Sequence, residues 1–153
     1  MSTIIFIPGE PKPQPRPRAR VLQRGHPPRP CAAMYNPPLP WRKTVRDALE
    51  LAGLPKFEVE PVSVTLDFLL PRPASHYGTG RNSEKVKPSA PIWPLAKRGG
   101  DSDNLAKAVL DSMSEVCFHD DSQVVLLTVT KRYTSDSPGV RITYATVLAE
   151  QPA

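Results

Sequence analysis

Hydrophobic and polar positions alternate along two stretches of the chain, at the spacing of a β-strand that buries one face. Between residues 61 and 70, valine, leucine and phenylalanine occupy every second position, and residues 140–148 show the same alternation. Residues 3–7 and 123–133 are apolar, β-branched runs, which also predict strands. Because only the sequence TSDSPG separates the last two runs, we expect them to pair as a β-hairpin.

Two other stretches have apolar residues at helical spacing. The first begins near Pro40 and ends at Gly53, a residue type that often caps a helix. Trp41 lies on its apolar face, and we interpret it as a core residue rather than a base-stacking platform. The second helix begins at Asp101 or Ser102. Its apolar stripe consists of Leu105, Ala108, Val109, Ser112, Met113 and Val116.

The order of strands and helices predicts one α+β domain over residues 1–153, with a small mixed sheet of about four strands covered by two helices. Two Pro-rich segments interrupt this pattern. Eleven of the 20 prolines lie within residues 8–40, so we expect an extended, polyproline-like arm there. Residues 71–100 predict a mobile basic loop. In this loop we interpret Trp93 as a packing residue, with stacking on a DNA base as the alternative.

The composition argues against several classes of protein. There is no run of 18 apolar residues, and the apolar N-terminus is too short and lacks the basic flank of a signal peptide. We therefore expect a cytoplasmic location, where Cys31 and Cys117 would stay reduced. Cys117 is predicted to be a small core residue and His119 a bystander, since no Cys or His residues have zinc-site spacing.

The net charge of +5 is distributed unevenly along the chain. Residues 1–40 hold six Lys and Arg against one Glu, and residues 71–100 hold the same numbers, so the rest of the chain is net negative. The polar face of the first helix carries Arg42, Lys43, Arg46 and Asp47. Two basic segments around an acidic centre predict a polyanionic partner, with solvated, disordered loops as the alternative explanation.

Ten cations of the two basic segments are the predicted DNA-binding residues. They are Lys12, Arg16, Arg18 and Arg20 in the arm, and Arg72, Arg81, Lys85, Lys87, Lys97 and Arg98 in the loop. Arg16, Arg18 and Arg20 alternate, so an extended backbone would project them to one side. Their guanidinium forks suit phosphate groups.

The acidic centre, residues 101–123, reads DSDNLAKAVLDSMSEVCFHDDSQ and holds five Asp residues within 21 positions. Carboxylates about 4 Å apart repel each other by roughly 4 kcal/mol near a protein surface, so we expect a bound cation among them. An EF-hand does not fit, because Ala106 and Ser112 stand where its loop needs Gly and Glu. Two or three carboxylates with open coordination positions suit Mg²⁺ instead.

Each acidic feature also has an ordinary structural explanation. A D-x-D sequence is common in helix caps and turns, and two adjacent Asp residues before a strand suit a turn. Lys107 and Asp111 form an ordinary i,i+4 pair. Their combination in one stretch is what favours a metal site.

This stretch resembles the signature of the RusA-like Holliday-junction resolvases, small endonucleases frequent in bacteria and their prophages. The family pattern D-x-D-N-L-x-K, then Asp, an aromatic residue and D-D-x-Q-V, matches the chain from Asp101 to Val124 in spacing and residue type. A glycine before a Pro-, Lys- and Arg-rich run, GEPKPQPRPRAR, is a second similarity. The resemblance implies a RusA-like fold, a homodimer, a DNA four-way junction as substrate, and Mg²⁺ as cofactor with Mn²⁺ as an alternative ion.

The resemblance also implies roles for individual residues. The positions that match the essential acidic residues of the family, and would hold the metal, are Asp101, Asp103 and Asp121. Lys107 matches the functional lysine and would stabilise phosphate charge in the transition state. Asp120 would be a further ligand or a supporting group. The supporting residues are Asn104, Asp111 and Gln123.

The expected reaction is phosphodiester hydrolysis in DNA recombination and repair, by paired symmetric nicks that leave a 5′-phosphate and a 3′-hydroxyl. Two alternatives from other classes stay open. One is a protein that binds branched DNA without cutting it, against which the complete set of signature residues argues. The other is a DxD-type nucleotidyl or glycosyl transferase, against which the short chain and the lack of a βαβ nucleotide-binding pattern argue.

Overall fold

The computed structural model describes residues 1–95 and 97–148, without the side chain of Arg98. In chain order the elements are β1 (Thr3–Pro8), β2 (Arg18–Arg24), β3 (Arg29–Tyr35), α1 (Pro40–Ala52), β4 (Val62–Pro71), α2 (Ser102–Met113), β5 (Val124–Thr134) and β6 (Gly139–Thr146). Within the described ranges, one-turn 3₁₀ helices lie at Ala74–His76, Gly80–Asn82, Lys97–Gly99 and Asp121–Gln123.

The main sheet formed by the described strands has the order β1-β6-β4-β5. β1 and β4 both pair antiparallel with β6, whereas β4 and β5 pair in parallel. A parallel pair needs a crossover connection, and α2 lies in this one. The mixed four-stranded sheet with two helices confirms the predicted α+β fold class.

The predicted hairpin between the last two strands is wrong. β6 lies between β1 and β4, so β4 separates it from β5. Neighbouring strands are only about 4.8 Å apart, and the four-residue connection 135–138 is long enough to pass the end of one strand. A turn sequence therefore predicts that the chain reverses, but not which strand becomes the neighbour.

The hydrophobic core lies between the two helices and one face of the main sheet. Every second residue of β4 from Val62 to Leu70 is buried, in agreement with the alternating pattern. Trp41 belongs to the same core and is only 5% exposed, as predicted. Cys117 is fully buried, and burial raises the pKa of its thiol to about 11, so the thiol stays neutral.

The segment 8–40 is not a continuous polyproline-like arm. β2 and β3 pair antiparallel as a separate two-stranded sheet, joined by a turn at residues 25–28. Pro30 is tolerated opposite Gln23, because every second backbone N–H of a two-stranded ribbon points away from the partner strand. Most of the other prolines lie before this hairpin, in its turn or after it, where no ladder hydrogen bond is lost.

The predicted loop 71–100 has local structure of its own, and in this respect the prediction is wrong. It contains three of the one-turn helices and an isolated bridge between Tyr77 and Val86. At its start, the guanidinium of Arg72 lies 5.2 Å from the centre of the Tyr133 ring, in a cation–π contact. Arg72 thus anchors the segment on β5.

The side chain of Trp93 is 57% exposed, so its interpretation as a packing residue is wrong. No helix in the described part of the chain has the length and apolar composition needed to cross a membrane.

Candidate active site

α2 presents its acidic residues at defined positions because its other face is fixed in the core. Leu105 and Val109 are fully buried, as the apolar stripe predicts. The hydroxyl oxygen of Ser112 lies 2.8 Å from the carbonyl oxygen of Ala108 and 3.1 Å from that of Arg42 on α1. These contacts set the rotation of α2 about its axis and turn its polar face outward.

This polar face borders a cavity of about 410 Å³ that also reaches β5 and the one-turn helix Asp121–Gln123. The charged groups that line it are Asp103, Lys107, Asp111 and Asp121. Its apolar wall is formed by Ala106, Leu110, Leu127 and Val129. We call this space the acidic cavity. Three of the four predicted catalytic residues thus share one cavity.

Asp101, the fourth predicted catalytic residue, lines a different cavity of about 430 Å³ between the start of α2 and residues 13–15. Lys97 and Asn104 line this arm-side cavity as well. Asp101 is the N-cap residue of α2, and Asp103 follows two residues later. Asp101 and Asp103 thus line two different cavities, although only one residue lies between them.

The carboxylates around α2 fit Mg²⁺ in their chemistry. Within residues 1–95 and 97–148, no three His, Cys, Asp or Glu side chains converge closely enough to hold one ion. Mg²⁺ commonly takes one or two carboxylates and completes its shell with waters and substrate phosphates. Asp103 and Asp121 supply two such carboxylates in the acidic cavity.

The backbone that leads into α2 packs against the N-terminal segment. Gly100 has a φ of +85°, a conformation that favours glycine, and a Cβ at this position would lie 2.8 Å from Pro13. The backbone N–H of Gln14 donates to the carbonyl of Asn104 at 2.9 Å. These two contacts hold the chain on both sides of Asp101.

Gln123 holds the turn that joins α2 to β5. Its amide oxygen accepts hydrogen bonds from the backbone N–H groups of His119 (2.8 Å) and Asp120 (3.0 Å). Its amide NH₂ group donates to the carbonyl oxygens of Phe57 (3.2 Å) and Glu60 (3.0 Å). One side chain therefore fixes the turn to the segment before β4.

Asp120 caps the same turn. Its Oδ1 atom accepts a hydrogen bond from the backbone N–H of Ser122 at 2.8 Å. Hydrogen bonds from Ser122 lower the pKa of the Asp120 carboxyl, so it stays ionised at neutral pH. This capping contact orients the neighbouring Asp121.

We expect Gln123→Leu to lower the unfolding free energy by about 2 kcal/mol, because leucine removes four hydrogen bonds and leaves the Asp120 N–H and the Glu60 carbonyl without a partner. In a chain of this length the melting temperature would fall by roughly 5 °C. Thermal unfolding followed by circular dichroism measures the shift. Gln23→Leu on the exposed strand β2 is the matched control. An equal shift in both variants would contradict the conclusion that Gln123 holds the turn in place.

Lys107 lies on the α2 face that borders the acidic cavity, one turn after Asp103. Its ammonium nitrogen is 3.5 Å from Oδ1 of Asp111, and its side chain is 60% exposed. Such an exposed i,i+4 pair stabilises a helix by at most about 0.5 kcal/mol. Lys107 is therefore held loosely and can turn toward a phosphate group in the cavity.

The predicted DNA-binding cations occupy different surroundings. Lys97 lines the arm-side cavity with Asp101. Lys12 pairs with Glu10 at 2.6 Å, and Lys87 donates to the carbonyl of Ser75 at 3.0 Å. Arg72 is half-buried. The other predicted cations whose side chains the structure describes are exposed: Arg16, Arg18, Arg20, Arg81 and Lys85. The side chain of Arg98 lies outside what the structure describes.

A third cavity, of about 370 Å³, shares Asp111 with the acidic cavity and contains cations that were not predicted as site residues. They are Arg42, Lys43 and Arg46. The sequence shows them on the polar face of α1, but not that α1 packs beside α2. Gln14 was missed as well, although it is 8% exposed and contacts both helices. No periodic pattern marks an isolated glutamine among prolines.

The chain matches a known protein family over most of its length. The family model described as Endodeoxyribonuclease RusA matches residues 8–144, which include both helices, β4, β5 and most of β6, but only the last residue of β1. A comparison with curated proteins gave no significant match. Since the family match covers most of the sequence, this chain belongs to the RusA endodeoxyribonuclease family.

Proposed function

We propose that the protein is a Mg²⁺-dependent endonuclease that resolves DNA four-way junctions. The observation that carries the proposal is the acidic cavity, in which Asp103, Asp121 and Lys107 meet in a chain of the RusA family. Carboxylates alone would repel a DNA phosphate. A divalent cation between them reverses this repulsion, and a nearby ammonium group adds to the attraction.

Asp103 and Asp121 would hold the Mg²⁺ ion, and Asp101 would contribute from the arm-side cavity. A bound Mg²⁺ ion polarises a phosphate and lowers the pKa of water. The ammonium group of Lys107 stabilises the additional negative charge that phosphorus-bound oxygens gain in the transition state.

In the proposed hydrolysis, the oxygen of a water molecule bonds to phosphorus and the P–O3′ bond breaks. The departing O3′ atom takes up a proton, so the products are a 5′-phosphate and a 3′-hydroxyl. The cations of the N-terminal segment and of residues 71–100 hold neighbouring phosphates and position the strand. Asp120 and Gln123 contribute by fixing the turn that carries Asp121.

The experiment that tests this function compares a labelled synthetic four-way junction, a linear duplex and a flap, each with and without Mg²⁺. The expected result is nicking of the junction at symmetric positions only when Mg²⁺ is present. Binding of the junction without cleavage at any Mg²⁺ or Mn²⁺ concentration would instead identify a non-cleaving junction binder.

We also propose that two copies of the chain associate through β5, since paired nicks need two sites on a substrate with two-fold symmetry. β5 lies at an edge of the main sheet and pairs only with β4 among the described strands. Three neighbouring apolar residues of this strand are 43–60% exposed: Val125, Leu126 and Leu127. An exposed apolar edge strand is a surface on which another strand readily pairs.

We expect Leu126→Lys to convert the dimer into a monomer, because each copy would bury a charged lysine in an apolar interface. Leu126 is 58% exposed in the single chain, so its replacement costs little folding stability. Sedimentation velocity at micromolar concentration measures the mass. Val21→Lys, at a 70% exposed position of β2, is the matched control and should leave the mass unchanged. An unaltered dimer in the Leu126 variant would exclude this edge as the interface.

A further inference from the structure

The 370 Å³ cavity beside α1 has the composition of an anion-binding site. We call it the basic cavity. Its charged lining consists of Arg42, Lys43, Arg46 and Asp111, so cations outnumber carboxylates three to one. Asn36 adds a polar side chain at the entrance to α1. A surface with this excess of positive charge attracts phosphate groups.

Among the three cations of the basic cavity, Arg42 is the one that forms hydrogen bonds with described residues outside its own helix. Its guanidinium donates to the amide oxygen of Gln14 at 3.4 Å, and its carbonyl oxygen lies 3.1 Å from the hydroxyl of Ser112 on α2. Among the described residues, no carboxylate lies within salt-bridge distance of Arg42. Its full charge therefore stays available to a ligand, and a guanidinium offers a planar fork that matches phosphate oxygens.

Lys43 and Arg46 are paired with carboxylates of their own helix. Lys43 contacts Asp47, and Arg46 contacts Glu50 at 3.0 Å. Both pairs are solvent-exposed i,i+4 pairs, which stabilise a helix only weakly. A phosphate can displace such weak partners, because charge-assisted hydrogen bonds to phosphate are stronger.

The basic cavity is a neighbour of the acidic cavity, because Asp111 lines both. Asp103 and Asp111 are eight residues apart on α2, which corresponds to about 12 Å along the helix axis. Successive phosphates of one DNA strand rise by about 3.4 Å along the duplex axis, and the path along the strand is longer because the strand winds around that axis. A strand that enters the acidic cavity with its scissile phosphate near Asp103 therefore reaches the basic cavity within about four phosphates.

We propose that Arg42, Lys43 and Arg46 form a subsite for the backbone of the DNA strand that is being cut, within about four phosphates of the cleavage point. This subsite rests on the proposed function, because it assumes that the scissile phosphate lies in the acidic cavity. Its role is to set which phosphate of the strand reaches Asp103 and Asp121. Phosphate contacts fix register on DNA without reading its sequence.

The first test measures junction binding by fluorescence anisotropy without divalent metal, over a range of salt concentrations. The variant carries Arg42→Gln, Lys43→Gln and Arg46→Gln together. Each lost phosphate contact should reduce the slope of log K against log salt by about 0.9, so the expected decrease is 2 to 3. The control removes the same charge elsewhere, with Lys56→Gln, Arg132→Gln and Arg141→Gln, and should change the slope by less than 1.

The second test locates the contact with a double-mutant cycle that uses Arg46→Gln alone, because Arg46 is half-buried at most and its variant should fold. Neutral methylphosphonates replace, one at a time, the first four phosphates on either side of the cut. If Arg46 contacts one of them, the two losses of affinity will not add. Additive losses at every position overturn the subsite. Failure of the unmodified protein to bind any junction would instead overturn the proposed function.

Discussion

Asp103→Asn and Asp121→Asn are each expected to abolish junction cleavage while junction binding stays equal or becomes tighter. Both carboxylates line the acidic cavity, and asparagine keeps their shape but removes the negative charge. Loss of groups that merely orient metal ligands costs about 10–100-fold in activity, so loss of a ligand should cost at least about 100-fold. Binding should not suffer, because removing a negative charge cannot weaken attraction to phosphates.

Single-turnover cleavage rates and anisotropy measurements separate these two effects. Asp136→Asn is the matched control, since it removes an exposed carboxylate at the opposite end of β5 and should leave both quantities unchanged. Cleavage at the normal rate by either site variant would show that its carboxylate is not a ligand. The same measurements on Asp101→Asn reveal whether the arm-side cavity contributes to the reaction.

The local elements of this fold were predictable because their patterns are strong. The alternation along β4 and the stripe on α2 both record burial against a single core, and burial is what these periodicities encode. The capping glycine and the core tryptophan of α1 were predictable for the same reason: each is specified by its immediate neighbours. Such features need no knowledge of the rest of the chain.

The pairing of distant strands was not predictable, because the edges of several strands compete for the same neighbour. β6 is central, and its alternating pattern is compatible with β4, β5 or β1 as neighbour. The hairpin of β2 and β3 was missed because its prolines dominate the composition, although they lie mainly outside the ladder. Each local pattern was compatible with more than one partner.

In the candidate site, too, features of single elements were predictable and contacts between elements were not. The spacing of Asp103 and Lys107 places both on one helix face, and the structure agrees. Asp101 is the N-cap residue of α2 and lines the arm-side cavity, a position that sequence spacing alone does not reveal. Gln14 and the basic cavity become visible only when α1, α2 and the N-terminal segment are in contact. Sequence spacing therefore predicts faces of elements, whereas sites between elements depend on packing.

Lys107→Met should slow the cleavage step by about 100- to 1,000-fold, the cost of removing one preorganised group that stabilises transition-state charge. Methionine keeps most of the unbranched stem but lacks the ammonium group. Junction affinity should fall by less than about 5-fold, because the ground-state phosphate gains only one exposed contact from Lys107. Folding stability should change by no more than about 0.5 kcal/mol, since the contact with Asp111 is an exposed pair.

The Asp111→Asn variant tests whether the ammonium group of Lys107 acts on the phosphate or only neutralises the carboxylate of Asp111. If Lys107 acts on the phosphate, its pairing with Asp111 at 3.5 Å competes with that action, and the Asn variant should cleave at a similar or higher rate. If Lys107 served only to neutralise Asp111, the Asp111→Asn exchange would rescue the Lys107→Met variant in the double mutant. Persistent loss of cleavage in the double mutant is therefore the expected result, and single-turnover rates of the four proteins decide between the two roles.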